Sequence, residues 1–240
     1  MNISSLLAQL SEWLGVIAVA MLAGTSPRFI YRPLVFRFPR REITITFSLF
    51  TLVWVVAFIY YSVNGQSQPG LPERFIFAAL SLVPFLLALR FREQPIRSLG
   101  WGRQMLRPSL LMGVTLCMLA LFLRGKIFTL LKGVSTPEAM VLLFWLGISL
   151  AEESIFRGYI RLRLVSAWGQ WPGIGVTSLL FTLWQIPLLL VMHLTTGTLA
   201  VSLAFAFLQG LLLGFIAQKS NNILAPALYR AFSEWLILLP

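Results

Sequence analysis

Long apolar stretches recur along the whole 240-residue chain and constrain its fold more than any other feature. A helix rises about 1.5 Å per residue, so about 20 apolar residues cross a hydrocarbon core roughly 30 Å thick. In lipid the backbone must satisfy its own hydrogen bonds, and a helix does so within one segment. We place about eight membrane-spanning helices, at residues 5–24, 43–64, 75–91, 109–131, 139–165, 172–191, 197–218 and 222–239.

The composition agrees with this placement. Hydrophobic residues make up 58% of the chain and charged residues 11%, whereas a soluble domain usually carries about a quarter charged residues. The longest polar connections, residues 25–42 and 91–108, are too short for a separate core. We therefore predict an all-α, polytopic transmembrane bundle. The third span is short and contains Pro84, and the division between the sixth and seventh rests on residues 193–197, so seven spans remain an alternative.

The net charge of +11 is unevenly distributed between the connections. Fourteen of the 19 basic residues lie in the loops after spans one, three, five and seven or in the helix ends leading into them. Arg230 falls inside the last span. The fourteen are Arg28, Arg32, Arg37, Arg40, Arg41, Arg90, Arg92, Arg97, Arg103, Arg107, Arg157, Arg161, Arg163 and Lys219; the opposite face has Arg74, Arg124, Lys126 and Lys132.

This bias predicts that the basic loops face the cytoplasm and that both termini are non-cytoplasmic. The basic loops are also expected to contact anionic lipid headgroups. Basic residues do not alternate with exposed aromatics on a polar face, so a nucleic-acid partner is not expected. No Lys or Arg precedes the first apolar stretch, which favours a retained helix over a signal peptide.

Acidic residues inside the spans carry the functional information, because an unpaired charge in hydrocarbon costs several kcal/mol. The chain has eight glutamates and no aspartate. Glu12 and Glu234 fall in spans, and Glu152 and Glu153 are adjacent in the fifth. Glu153 and Arg157 are i,i+4 neighbours in the favourable order, and Glu152 points about 100° away. Either this is an ion pair with Glu152 as a polar plug, or Glu152 is a general base that activates water.

The segment Glu-Glu-Ser-Ile-Phe-Arg-Gly-Tyr at 152–159 resembles the EExxxR signature of the CAAX-protease and bacteriocin-processing (CPBP) family. This family comprises intramembrane endopeptidases that include the Ras-converting enzymes. The resemblance covers residues 138–239 and implies an eight-helix fold. It divides the chain into N-terminal helices at 1–137 and a CPBP-like domain at 138–240. A prokaryotic inner or internal membrane is the expected location.

The second and third family motifs have lost their histidines. An aromatic followed four residues later by histidine aligns with Phe181 and Gln185, and histidine followed four residues later by asparagine aligns with Arg230 and Glu234. The resemblance implies that the first glutamate, Glu152, activates water together with the first histidine. The later histidine and asparagine are implied to stabilise the oxyanion.

These replacements weaken the expected chemistry. Gln185 can hydrogen-bond a water but cannot exchange a proton with it near neutral pH, and Arg230 cannot act as an acid or base. Losing a general acid–base costs about 10²–10⁴-fold in rate, and losing an oxyanion donor about 10²–10³-fold. Efficient proteolysis is therefore not expected. We predict instead a buried ion network in which Arg230 pairs with Glu152 rather than Glu234 and closes the cavity.

No metal or cofactor is predicted. His193 is the only histidine, about eight residues beyond Gln185, and we expect it in an interfacial loop. Catalytic zinc normally takes three protein ligands rich in His or Cys. Cys117, the only cysteine, is expected to be a buried free thiol.

Three functions from different classes remain open. The first is a degenerate homologue, a pseudoenzyme that binds another integral membrane protein as an assembly, stabilising or regulatory subunit. The second is a divergent intramembrane endopeptidase that uses Glu152, and the third is a small-solute transporter, because intramembrane charges can mark a pathway. A protease needs a water-filled cavity at Glu152, a scaffold needs an apolar groove, and a transporter needs alternating access.

Overall fold

A computed structural model of the chain describes residues 3–25, 34–63, 70–192 and 194–239, and every regular element among them is helical. His193 lies outside the described residues. The predicted fold class is confirmed. The helices are α1 (Ile3–Thr25), α2 (Pro39–Val63), α3 (Leu71–Phe91), α4 (Leu106–Leu123), α5 (Ile127–Leu131), α6 (Thr136–Glu153), α7 (Arg161–Trp168), α8 (Gln170–Val191), α9 (Thr196–Ser220) and α10 (Leu224–Leu238).

Each of the eight predicted spans overlaps helical segments, although the fourth is divided into α4 and α5 by residues 124–126 and the fifth continues from α6 through residues 154–160 into α7. Six runs in the described residues are long and apolar enough to cross a membrane: α2, α3, α4, the continuous run of α6 and α7, α8 and α9. The protein is therefore a multi-pass integral membrane protein. The last predicted span is α10, which has 15 residues, fewer than the usual 20. The total of eight stays a prediction.

Local sequence signals set the helix ends. Ser135 caps α6 by accepting a hydrogen bond from the Glu138 backbone, while the Glu138 side chain accepts one from the Ser135 backbone at 2.7 Å. This reciprocal capping box satisfies donors that the first turn leaves unpaired. Asn221 ends α9 in a left-handed conformation with φ of 50°, which asparagine tolerates better than most residues.

A seven-residue π-helix, Ser154–Ile160, joins α6 to α7. π-Helical turns are rare and occur frequently at functional sites. Gly158 lies in this turn, and a Cβ there would be 2.6 Å from the carbonyl carbon of Leu99. Only glycine therefore lets the short 3-10 turn Ile96–Leu99 pack against the π-helix.

The helices that carry the three motifs pack around a common interior. Helix α10 packs between α4 and α6, α8 packs on α9, and α3 covers α6. Close approach needs small residues: a Cβ at Gly210 would lie 2.9 Å from the Ser178 side chain, and one at Gly113 would lie 2.9 Å from Leu228. This packing turns the motif segments of α6, α8 and α10 towards each other.

The connections that precede α2, α4, α8 and α10 meet at one end of the bundle, here called the basic end. The Phe36 backbone donates to Ser166 Oγ at 3.0 Å, and Asn222 Nδ2 donates to the Gly102 carbonyl at 3.0 Å. Three arginines counted with the basic loops are nevertheless buried inside the bundle: Arg157, Arg161 and Arg163 are 0%, 2% and 0% exposed. The expected contact of the basic loops with headgroups stays a prediction.

Candidate functional site

The two adjacent glutamates of the signature segment, Glu152 and Glu153, end α6 inside the bundle. Glu153 is fully buried and Glu152 is 7% exposed. Arg157, on the π-helix, places Nη1 3.0 Å from Glu153 Oε1 and donates from Nη2 to the Gly210 carbonyl at 3.2 Å. The i,i+4 ion pair predicted from the sequence is confirmed.

Arg230 enters this interior from α10. Its Nη2 lies 2.5 Å from Glu152 Oε2, and its Nη1 lies 3.4 Å from Glu153 Oε1. The predicted pair between Arg230 and Glu152 is confirmed, and Arg230 also contacts the second glutamate. Glu152, Glu153, Arg157 and Arg230 together form what we call the motif cluster.

An aromatic floor completes the motif cluster. The guanidinium carbons of Arg157 and Arg230 lie 4.3 Å and 5.0 Å from the centre of the Phe181 ring, within range of cation–π attraction. Trp184 Nε1 donates to Glu152 Oε1 at 3.2 Å. Both aromatic residues come from α8, so the second motif contributes to the site through its aromatic positions.

Gln185 shares a small cavity with Glu152. About 20 Å³ of space remains there, enough for about one water molecule. The cavity walls also include Tyr61, Arg74 and Ile148. Arg230 therefore lies on the side of Glu152 that faces α10. The space on the side of Gln185 can hold about one water molecule.

Glu234 lies apart from these charges. It is half-buried, one turn beyond Arg230 on α10, and Oε1 accepts a hydrogen bond from Gln209 Nε2 at 3.4 Å. Of the six predicted site residues, the structure joins Glu152, Glu153, Arg157 and Arg230 directly. It places Gln185 across a small cavity and leaves Glu234 at the edge.

Comparison with known families matches the region that holds all six residues. Residues 134–236 match the family described as type II CAAX prenyl endopeptidase Rce1-like. This C-terminal region is similar to that family, and we call it the Rce1-like region. The match includes the segments of all three motifs, and residues 1–133 lie outside it. Searches of curated proteins and of solved structures found no significant match.

A second charged cluster, missed by the sequence reasoning, joins the Rce1-like region to the N-terminal helices. Glu42, in the first turn of α2, is buried and accepts hydrogen bonds from Arg92 Nη1 at 2.8 Å and from Arg163 Nε at 2.9 Å. Gln94 Nε2 donates to the same carboxylate at 2.9 Å. We call Glu42, Arg92, Gln94 and Arg163 the basic-end cluster.

The basic-end cluster is tightly connected to the signature segment. Arg163 also donates to the carbonyls of Ser98 and Tyr159, and its guanidinium lies 3.3 Å from the centre of the Tyr159 ring. The hydrogen bond to Glu42 raises the pKa of Arg92, so this residue stays charged at every physiological pH. The only sequence signal for this cluster was an acid at 42 among many basic residues.

A third charged group lies at the opposite end of the bundle. Arg124, counted as a loop charge, places Nε 2.5 Å from Glu12 Oε2 and donates to the Ser233 carbonyl at 2.7 Å. Tyr229 donates to Glu12 Oε1 at 2.8 Å. This group ties α1 and α4 to the last helix of the Rce1-like region.

Proposed function

We propose that this protein is a catalytically degenerate intramembrane-protease homologue that binds another integral membrane protein as an assembly, stabilising or regulatory subunit. The observation that carries the proposal is the 2.5 Å contact between Arg230 Nη2 and Glu152 Oε2. A guanidinium does not lose its proton in proteins, so Arg230 keeps its positive charge beside this carboxylate. The carboxylate oxygen that contacts Arg230 is not free to bind and orient a water molecule.

The groups around Glu152 cannot replace the missing histidines. Gln185 and Arg230 donate or accept hydrogen bonds, but neither exchanges protons near neutral pH. A general acid–base contributes typically 10²–10⁴-fold to a rate, and the described neighbours of Glu152 include no histidine to provide it. This arrangement supports a protein that keeps the helical fold but hydrolyses peptides at a greatly reduced rate.

An apolar groove between α2 and α3 supports the partner-binding part of the proposal. The two helices meet only briefly, and the groove between them has a volume of about 430 Å³. Its walls include Leu52, Val56, Ile76, Leu80 and Pro84. Both helices are candidate membrane spans, so the groove faces the bilayer and suits apolar side chains of a partner's transmembrane helix.

A cleavage assay tests the catalytic part. Purified protein is incubated with prenylated peptides and with membrane-embedded peptides, beside a Glu152→Ala variant and an active relative as positive control. We expect wild-type protein and Glu152→Ala to give the same background. Cleavage that depends on Glu152 would contradict the degenerate assignment.

The second candidate function is that of a divergent endopeptidase, and one observation favours it. The cavity of about 20 Å³ between Glu152 and Gln185 has room for one water next to a carboxylate. If the cleavage assay shows Glu152-dependent products, this candidate replaces the first.

Photo-crosslinking in native membranes tests the partner-binding part. A crosslinker is introduced at Val56 or Leu80, which line the groove and are 51% and 62% exposed. The matched controls are Leu111 and Met118 on α4, each 58% exposed but outside the groove. We expect one discrete protein adduct from the groove positions only. Equal adducts at all four positions, or lipid adducts alone, would contradict a helix-binding groove.

We also propose that the basic end faces the cytoplasm of a prokaryotic inner or internal membrane, with both termini on the other side. The support is the charge bias of the sequence: of the fourteen basic residues assigned to this side, eleven remain after the three buried arginines are set aside. Cysteine-accessibility labelling in intact cells, with Cys117 replaced, tests the orientation. Labelling of loop 91–108 from outside would overturn it.

A further inference from the structure

A pocket of about 790 Å³ opens at the basic end, away from the motif cluster. Its polar wall contains Arg97, Arg103 and Arg161, together with Asn221 at the end of α9. Arg97 and Arg103 are exposed, whereas Arg161 is 2% exposed. Three arginine residues therefore line one concave space, and Arg161 is fixed inside the protein.

Among the residues that the structure describes, no acidic residue lines this pocket. The chain has eight glutamates and no aspartate, and residues 26–33 contain no acid at all. Glu42 is already bonded to Arg92 and Arg163 in the basic-end cluster. The exposed Arg97 and Arg103 therefore give the pocket a positive charge that favours an anionic ligand. Arginine is especially suited to phosphate, which it binds with two parallel hydrogen bonds.

The rim of the pocket is apolar. Val35, in the connection before α2, and Ile96, at the start of the 3-10 turn, line it and are 77% and 65% exposed. Large exposed aliphatic side chains beside arginines match a ligand that carries both a phosphate and a hydrocarbon chain.

The pocket is connected to the signature segment through two hydrogen bonds. Trp101, another wall residue, donates from Nε1 to Ser154 Oγ at 3.1 Å, and Arg161 Nε donates to the Arg157 carbonyl at 2.9 Å. Both acceptors belong to the π-helix. A ligand in the pocket would thus rest on the segment that holds the motif cluster in place.

We propose that this pocket binds the phosphate group of an anionic phospholipid, with the acyl chains lying over Val35 and Ile96. The proposal narrows the general attraction of basic loops for headgroups to one defined site. It is independent of whether the protein cleaves peptides.

Native mass spectrometry of the full-length protein in mild detergent tests this site. Phosphatidylglycerol, phosphatidylcholine and inorganic phosphate are titrated separately, and inorganic phosphate is also added as a competitor. We expect one high-affinity phosphatidylglycerol, weaker binding of phosphatidylcholine, and little competition by inorganic phosphate. Arg97→Gln/Arg103→Gln should lower the phosphatidylglycerol affinity about thirty-fold.

The matched control is Arg90→Gln/Arg107→Gln, which removes two exposed arginines of the same end that lie outside the pocket. We expect it to change the affinity less than about three-fold. Equal losses in the two double variants would mean diffuse charge attraction and would overturn the proposal, as would unchanged affinity in Arg97→Gln/Arg103→Gln. Full displacement of phosphatidylglycerol by inorganic phosphate at equal concentration would also overturn the proposal, because the ligand would then be a soluble phosphate and not a lipid. All four substituted residues are exposed, so we expect both double variants to keep the melting temperature of the wild type. This measurement shows that the variants are folded.

Discussion

The motif cluster and the basic-end cluster both contain glutamate and arginine side chains, but they differ in how many of their buried polar atoms are hydrogen-bonded. In the basic-end cluster both oxygens of Glu42 accept hydrogen bonds, and Arg163 donates to carbonyls as well as to the carboxylate. In the motif cluster Glu153 Oε2, Arg157 Nε and Arg230 Nε are buried without a hydrogen-bond partner among the described residues. Native proteins satisfy more than about 90% of such groups, so the exceptions need an explanation.

The difference lies in how the buried polar groups of each cluster are satisfied. The basic-end cluster has one carboxylate that holds two arginines from distant parts of the chain, and none of its side-chain atoms is buried without a hydrogen-bond partner among the described residues. The motif cluster has two carboxylates and two arginines inside the region that matches the Rce1-like family model. Unsaturated buried groups are typical of sites arranged for a substrate or water rather than for stability.

The largest expected effect comes from breaking the basic-end cluster. Glu42→Gln leaves Arg92 and Arg163 without the one carboxylate that pairs with them among the described residues, and stranding buried charge should cost about 3–5 kcal/mol of unfolding free energy. Thermal unfolding in detergent measures the loss. The control is Glu93→Gln, an exposed glutamate of the same end, which should stay within about 0.5 kcal/mol of wild type. Similar small losses of unfolding free energy in both variants would show that the basic-end cluster does not stabilise the fold.

A smaller loss of stability is expected when the hydrogen bond from Trp101 to Ser154 is removed. Trp101→Phe removes one neutral hydrogen bond and should cost about 0.5–1.5 kcal/mol. The control is Trp171→Phe, whose ring is 66% exposed. Equal stability of the two variants, measured by the same thermal unfolding, would show that this bond does not support the π-helix.

The sequence was sufficient for the features that depend on local pattern and depth. The apolar stretches located each helix, and the i,i+4 spacing identified the pair of Glu153 and Arg157. The pair of Arg230 and Glu152 was predictable because both residues fall at the middle of their spans, where an unpaired arginine is costly.

The remaining features depend on tertiary packing that a hydropathy pattern does not contain. Glu42 and Arg163 are 121 residues apart, and Glu12 and Arg124 are 112 apart. A count of basic residues cannot distinguish a buried Arg163 from one at the interface. The π-helix also has no hydropathy signature, because it changes the hydrogen-bond register and not the apolar content.

The central claim is that Arg230 holds Glu152 in an ion pair and so withdraws it from catalysis. A double-mutant cycle tests this directly, with detergent unfolding of Glu152→Gln, Arg230→Gln and the double variant. Arg230→Gln leaves two buried glutamates facing Arg157 alone and should cost about 3–5 kcal/mol, whereas Glu152→Gln leaves Arg230 its second contact with Glu153 and should cost less. The account predicts non-additive losses, with a coupling energy of about 0.5–3 kcal/mol. Strictly additive losses would contradict it and leave Glu152 available as a general base.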